Sequence, residues 1–241
     1  MPEDRIYSMP LKRVGDFSFD DQVVEVFPDM IARSVPGYGS VLAMTAELSE
    51  RFAQPKSTIY DLGCSLGAST LPMRSRVPQD CTIQAIDSSP SMISRLHQIL
   101  QDNDDTGCDV EVMEADIREV DIDRASFAVL NFTLQFIPLA ERKALLQKIC
   151  TGILEGGALV VSEKVHFEDV NQQTLMTELH HDFKRAHGYS ELEIAQKRTA
   201  LENTLITETM ETHQARLREV GFSNVSLWFQ CFNFVSILAV K

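Results

Sequence analysis

The segment Asp61-Leu62-Gly63-Cys64-Ser65-Leu66-Gly67 carries the clearest chemical pattern in the chain. An apolar run, Thr58-Ile59-Tyr60-Asp61-Leu62, leads into it, and helical texture from Ala68 to Arg76 leaves it, so the loop joins a strand to a helix. Small residues at such a turn let backbone approach a ligand closely, and the start of the helix offers free N–H groups. A dinucleotide fingerprint would need glycine where Ser65 stands and another beyond Gly67, and neither is present. The same residues would also serve as a tight turn without a ligand.

Two further acids sit where a ligand of this loop would extend. Asp87 ends the second strand, about twenty residues beyond Gly67, where a carboxylate can accept both hydroxyls of a ribose. It could instead cap the following helix, although Ser89 is available for that. Asp116 follows the third strand and could accept from an adenine amino group with Ile117 against the ring, or be a solvated turn acid. Three acids, Asp61, Asp87 and Asp116, at the ends of three successive strands favour a ligand over coincidence.

The elements that must position these groups alternate. Residues 20–53 read as two short helices broken at Pro36-Gly37. Strands follow at Thr58–Leu62, Cys81–Asp87, Cys108–Met113, Phe127–Phe132 and Ala158–Glu163. Between them lie helices from Ser89-Pro90 to about Gln101 and from Pro138 to Cys150, the latter burying Leu139, Leu145, Leu146 and Ile149. Residues 168–206 are helical with no strand between, with one apolar face at Leu175, Leu179, Phe183 and Ala186, and read as a cap inserted over the ligand edge. A helix from Glu211 to Val220, closed by Gly221, precedes the strands Val225–Gln230 and Phe234–Val240. The connection between those two is too short for a crossover, so they form an antiparallel hairpin. The expected fold is α/β: one domain over 1–241 with a doubly wound, mostly parallel seven-stranded sheet and an antiparallel last strand.

Composition narrows the function. The 241 residues hold 22 Lys and Arg against 35 Asp and Glu, a net charge of −13. With its bases scattered, such a chain repels a polyanion, so direct nucleic-acid binding is not expected. No apolar run reaches the ~18 residues of a membrane span, and the N-terminus does not read as a signal peptide. Five widely spaced cysteines without CxxC pattern read as reduced thiols of a cytoplasmic chain, with no ligand set for a metal. His180-His181-Asp182 resembles a metal cluster, but adjacent helical side chains point about 100° apart.

The Asp–Leu–Gly–x–x–x–Gly loop, the acid after strand two, Ala115-Asp116-Ile117 and the antiparallel last strand together resemble the class I S-adenosylmethionine-dependent methyltransferase fold, which is Rossmann-like. A closer resemblance spans the whole chain. Glu25-Val26-Phe27-Pro28-Asp29-Met30, Arg33-Ser34-Val35-Pro36-Gly37-Tyr38, Val129-Leu130-Asn131-Phe132-Thr133-Leu134-Gln135-Phe136, His180-His181-Asp182-Phe183-Lys184-Arg185-Ala186 and Leu227-Trp228-Phe229-Gln230-Cys231-Phe232-Asn233-Phe234 resemble the carboxy-S-adenosylmethionine synthases. That resemblance implies conversion of S-adenosylmethionine and prephenate to carboxy-S-adenosylmethionine, phenylpyruvate and water, supplying a donor for wobble-uridine modification of tRNA by another enzyme. It implies a homodimer, and ligand contacts at Tyr38, Gly63, Cys64, Ser65, Asp87, Ser88, Asp116, Ile117, Asn131 and Arg198.

Arg198 gives the resemblance a physical check. Ile194, Arg198, Leu201 and Leu205 share one face of a helix, and a guanidinium in an apolar stripe is costly unless it meets an anion. A carboxylate of product or prephenate fits it bidentately, with catalysis resting on that grip. Pairing with Glu202 or snorkelling to water would also satisfy it. Because long-range attraction cannot gather a dianion to so acidic a chain, local bases must, and Arg33, Lys184, Arg185 and Arg198 are the candidates. Tyr38 could stack on the ligand or pin its loop. Two other functions share these residues: methyl transfer to a small acid, and nucleoside binding without turnover.

Overall fold

The computed structural model describes residues 2–103 and 106–241. In chain order the elements are α1 (Asp21–Ser34), α2 (Tyr38–Phe52), β1 (Thr58–Leu62), α3 (Thr70–Arg74), β2 (Thr82–Asp87), α4 (Pro90–Asp102), β3 (Asp109–Glu114), β4 (Ala125–Asn131), α5 (Leu139–Gly152), β5 (Ile153–Lys164), α6 (Val170–Ala186), α7 (Glu191–Leu201), α8 (Met210–Glu219), β6 (Asn224–Cys231) and β7 (Phe234–Val240). The strands form one seven-stranded sheet in the order β3-β2-β1-β4-β5-β7-β6. The ladder is parallel from β3 through β5, while β7 runs antiparallel to both β5 and β6.

Sequence order reverses direction between β1 and β4, so their carboxyl ends open a crevice where doubly wound sheets take their ligands. Helices cover both faces. Accordingly β4 is buried from Ala125 to Leu130 and reads as a continuous apolar run. On one face Leu62, Leu130, Leu146 and Ile149 join one core cluster, and on the other Ile59, Met73, Ile83 and Phe127 join a second.

Local chemistry sets the helix starts. Asp20 accepts from Gln22 N and Val23 N to open α1, Ser89 accepts from Met92 N to open α4, and Ser190 with Glu193 forms a capping box for α7. Gly37 takes φ +76 between α1 and α2, and a Cβ there would lie 2.4 Å from the Phe229 ring, so the break at Pro36-Gly37 tolerates no side chain.

Three expectations change. The helix expected over Ala68 to Arg76 shrinks to Thr70–Arg74, because Ser65 (φ +50) and Gly67 (φ +78) hold a left-handed turn closed by Gly67 N donating to Cys64 O at 2.8 Å. On α5, Leu139 is 52% exposed, and the buried stripe begins instead at Arg142. That guanidinium donates to the carbonyls of Ile137, Gln135 and Ile206 and to Glu208 at 2.6 Å, which makes its burial tolerable. On α6, Leu175 is half exposed and Ala186 exposed, whereas His180 and Lys184 are buried. The helix turns a polar face inward because what lies beneath it is a cavity.

Candidate active site

The carboxyl ends of the central strands, α6, α7 and the N-terminal segment enclose a cavity of about 480 Å³, within the usual range for small-molecule sites. Phe17 and Phe19, ahead of α1, pack edge-on with ring centroids 5.1 Å apart, and Phe19 meets Phe27 and Phe136 at 5.9 and 5.4 Å. This segment is strapped to α7: Gln196 Nε2 donates to Tyr7 O and Met9 O, and its Oε1 accepts from Leu11 N. Residues with no regular structure thus close one side against water.

One end of the cavity is acidic. After β1, Gly63 N and Cys64 N both donate to Ile86 O, at 2.8 and 2.9 Å, and Ser65 N donates to Asp87 Oδ2 at 2.9 Å. Gly63 sits at φ +86, and a Cβ there would lie 2.4 Å from Thr133 Oγ1, so the loop requires glycine. Asp87 Oδ1 accepts from Ser89 N at 2.9 Å, while capping of α4 falls to Ser89. Burial pushes the Asp87 carboxyl up despite these bonds. Behind the loop, Asp61 is buried and accepts from Thr70 Oγ1 at 2.6 Å; burial, opposed by that bond and assisted by Asp87, pushes it up to about 7. Asp61 itself does not line the cavity. Asp116 does, held low by the Arg118 side chain, whose Nε lies 3.0 Å from each carboxylate oxygen.

The other end is basic. Lys164 at the end of β5, Lys184 on α6 and Lys197 on α7 all line the cavity, as does His180. Burial lowers Lys164, and lowers Lys184 to about 7 with help from the charges of Lys197 and Lys164. Burial likewise lowers Lys197 to about 8, against the pull of Asp4. Lys197 Nζ donates to Ser34 Oγ at 2.9 Å and lies 3.5 Å from Asp4 Oδ2. His180 Nε2 donates to Ser34 O at 2.8 Å, and burial first, then Lys184 and Lys164, keep that ring neutral.

The family model of the methyltransferase domain matches residues 59–157. Over 239 residues the chain is 55% identical to Carboxy-S-adenosyl-L-methionine synthase of Salmonella typhimurium, covering 99% of this chain and 96% of that protein. This chain belongs to the carboxy-S-adenosyl-L-methionine synthase family. The synthase match therefore takes in α1, α2, α6 and α7, all outside the methyltransferase-domain match. Solved structures share the fold at lower identity: an O-methyltransferase family protein from Burkholderia thailandensis (TM-score 0.65, 18% identity, 92% of this chain and 60% of that one) and an S-adenosyl-L-methionine-dependent methyltransferase from Methanococcus maripaludis, titled putative (TM-score 0.58, 20% identity, 97% of each chain).

In this member of the synthase family, nine of the ten residues singled out from sequence line the one cavity: Tyr38, Gly63, Cys64, Ser65, Asp87, Ser88, Asp116, Ile117 and Asn131. Tyr38 is half-buried with its ring 6.2 Å from that of Phe132, and Asn131 is clamped between Ser69 Oγ at 2.8 Å and Ser162 Oγ at 2.6 Å. Cys64 is a buried thiol, pushed well up by burial and by Asp61 and Asp87, so it is no nucleophile. Arg198 is the exception. It is exposed and outside the cavity, and its stripe closes around Ile194, Lys197 and Ala200 instead. Leu205 lies beyond the end of α7.

Of the other bases considered for gathering an anion, only Lys184 reaches the cavity. Arg33 bonds Asp29 and His187 O and lies 4.0 Å over the Tyr189 ring, and Arg185 pairs outside with Asp182 and Glu191. Sequence reasoning missed Lys164, Lys197 and His180. Ser190-x-x-Glu193 fixes where α7 begins, but Lys197 and Arg198 flank its apolar stripe almost equally, so phase alone does not choose between them.

Proposed function

We propose that this chain converts S-adenosylmethionine and prephenate to carboxy-S-adenosylmethionine, phenylpyruvate and water. What carries the reading is the synthase-family identity running through α1, α2, α6 and α7, the elements that enclose the cavity beyond the generic domain.

The residues fit a sulfonium nucleoside. At the end lined by Asp87 and Asp116 the cation present among the described residues, Arg118, is already paired with Asp116 and Glu141, which suits a positively charged ligand better than a pyrophosphate. Asp87 keeps lone pairs for ribose hydroxyls beyond its bonds from the backbone of Ser65, Ser88 and Ser89, and Asp116 and Ile117 stand where adenine edge and face would lie. Tyr38, Asn131, Ser88 and the backbone of Gly63, Cys64 and Ser65 complete that side. Bound there, the nucleoside supplies an acidic sulfonium methyl: the ring carboxylate of prephenate ends on that carbon, and its hydroxyl leaves with the methyl proton as water. The strap carrying Phe17 and Phe19 excludes solvent, which keeps released carbon dioxide beside the methyl carbon.

Arg198 belongs to this reading through a homodimer. A guanidinium on the outside of its own chain would serve the cavity of a second subunit, gripping the carboxylate of the product. The product would supply a separate tRNA-modifying enzyme in the cytoplasm, with no nucleic acid touching this acidic chain. Among the described residues no helix is long and apolar enough to cross a membrane.

The test is mass spectrometry of the nucleoside after incubation with S-adenosylmethionine, with and without prephenate. A gain of one carbon dioxide only when prephenate is present is the expected result. S-adenosylhomocysteine with a methylated acid would overturn the proposal in favour of an ordinary methyltransferase.

A further inference from the structure

Three lysines reach one cavity from three separate elements, β5, α6 and α7. Lys184 is 7% exposed and Lys197 5%. A buried ammonium is expensive unless an anion or hydrogen-bond acceptor meets it. Lys197 has Asp4 and Ser34. Lys164 and Lys184 have neither a hydrogen bond nor an ion pair from their ammonium groups among the described residues, in a chain whose acids outnumber its bases by 13. Nor does Glu163, next to Lys164, make up the deficit. Successive strand side chains point to opposite faces, and Glu163 accepts from Leu134 N at 2.9 Å while burial pushes it up to about 8, so it is largely uncharged at neutral pH. His180 is held neutral, as described above.

Lys164 and Lys184 stand uncompensated at one end of a cavity whose other end holds Asp87, with Asp116 paired to Arg118, and that makes the site bipolar. Aromatic rings line the same cavity: Phe132 and Phe234 pack edge-on with centroids 6.0 Å apart, and His180 lies 4.8 Å from Phe234. They give the cavity an apolar wall against which an unsaturated six-membered ring would pack.

We propose that Lys164 and Lys184, supplemented by Lys197, are the binding site for the two carboxylates of the second substrate, a small ring-bearing dianion, at the end of the cavity opposite the nucleoside. This rests on the reaction proposed above. The competing use of the lysines is to hold the amino-acid carboxylate of the nucleoside. That group is a single carboxylate accompanied by its own ammonium, and it calls for one cation and one acid rather than three cations.

The experiment titrates prephenate calorimetrically into the full chain saturated with S-adenosylhomocysteine, so that no turnover intervenes. Lys164→Met and Lys184→Met retain the buried stems and remove the charge. Each is expected to weaken prephenate binding about tenfold or more, as loss of a charge-assisted contact does, to weaken phenylpyruvate less, and to leave S-adenosylmethionine affinity within about twofold. Unchanged prephenate affinity in both variants overturns the proposal, and so does an equal loss for S-adenosylmethionine. A second measurement needs no variant: in the wild-type chain, amine acylation at Lys164 and Lys184 is blocked by prephenate but persists with S-adenosylhomocysteine alone, and the reverse pattern overturns it. Carboxylated product from the wild type with unaltered affinities in the variants would sink the lysine site alone, whereas no product from the wild type would sink the reaction.

Discussion

Lys197 faces into the cavity while Arg198, its neighbour on α7, stands exposed on the outside. About 100° of helix rotation separates them, and it divides the work of one dipeptide between the chain's own site and, in the proposed homodimer, that of a second subunit. The prediction is complementation. Arg198→Ala and Asp87→Ala chains, each impaired alone, regain carboxylating activity when mixed, because one site of the mixed dimer is then whole. Failure to regain it in an assay that shows subunit exchange contradicts a role across the interface.

Asp87 ties the glycine loop to β2 through Ser65 N and faces the cavity with what lone pairs remain. Asp87→Ala removes both the ribose acceptor and the anchor of a loop that holds Ser65 at positive φ. We expect S-adenosylmethionine affinity to fall about tenfold or more, measured by calorimetry, while prephenate affinity in the nucleoside-loaded chain changes little.

Arg142 and Glu208 make the principal buried ion pair outside the site. Burial raises the Glu208 carboxyl, but Arg216 and Arg142 outweigh it and hold Glu208 at about 2. Glu208→Gln leaves the fully buried guanidinium of Arg142 with carbonyl partners only, and should cost about 3 kcal/mol, lowering Tm by about 6–12 °C at neutral pH. A depressed acid contributes stability above its unfolded value, near 4.5, and loses it as pH falls towards 2. The gap between wild type and variant therefore narrows on acidification through that window, as thermal melts at a series of pH values will show.

The basic end of the cavity titrates in the opposite sense. With Lys184 lowered to about 7 and Lys197 to about 8, mainly by burial, both amines of the free chain lose charge as pH rises through that range. Lys164, His180 and His181 add no negative charge around them; Asp4 and Asp29 act on Lys197, and Arg33 opposes those two acids. A dianion must recharge the amines, so its binding takes up protons near pH 8 and its affinity falls as pH rises from 7 to 9. Calorimetry in buffers of different ionisation enthalpy measures that uptake directly.

Much of this arrangement was legible in the chain. β1 lies where its bounded apolar run put it, Ser89-Pro90 opens α4 as side-chain chemistry requires, and the short link between Cys231 and Phe234 dictates the antiparallel β7. On α6 and α7 the differences have one cause. Hydrophobic periodicity assumes an apolar interior, and the interior under α6 and α7 is a polar cavity. Leu175 therefore reads inward where His180 and Lys184 belong, and the apolar stripe of α7 gives no sign that Lys197 enters the chain's own cavity while Arg198 stays outside it. Arg142 was invisible for a related reason, since the carboxylate that makes its burial tolerable lies 66 residues away.

The central claim is that the carboxylate on the ring of one substrate ends on the sulfonium methyl carbon of the other. Prephenate carrying carbon-13 only in its ring carboxylate, incubated with S-adenosylmethionine and this chain, tests it directly by mass spectrometry of the nucleoside. The account predicts carboxy-S-adenosylmethionine bearing the label. S-adenosylhomocysteine with no carboxylated nucleoside, or a carboxylated nucleoside without the label, would contradict it.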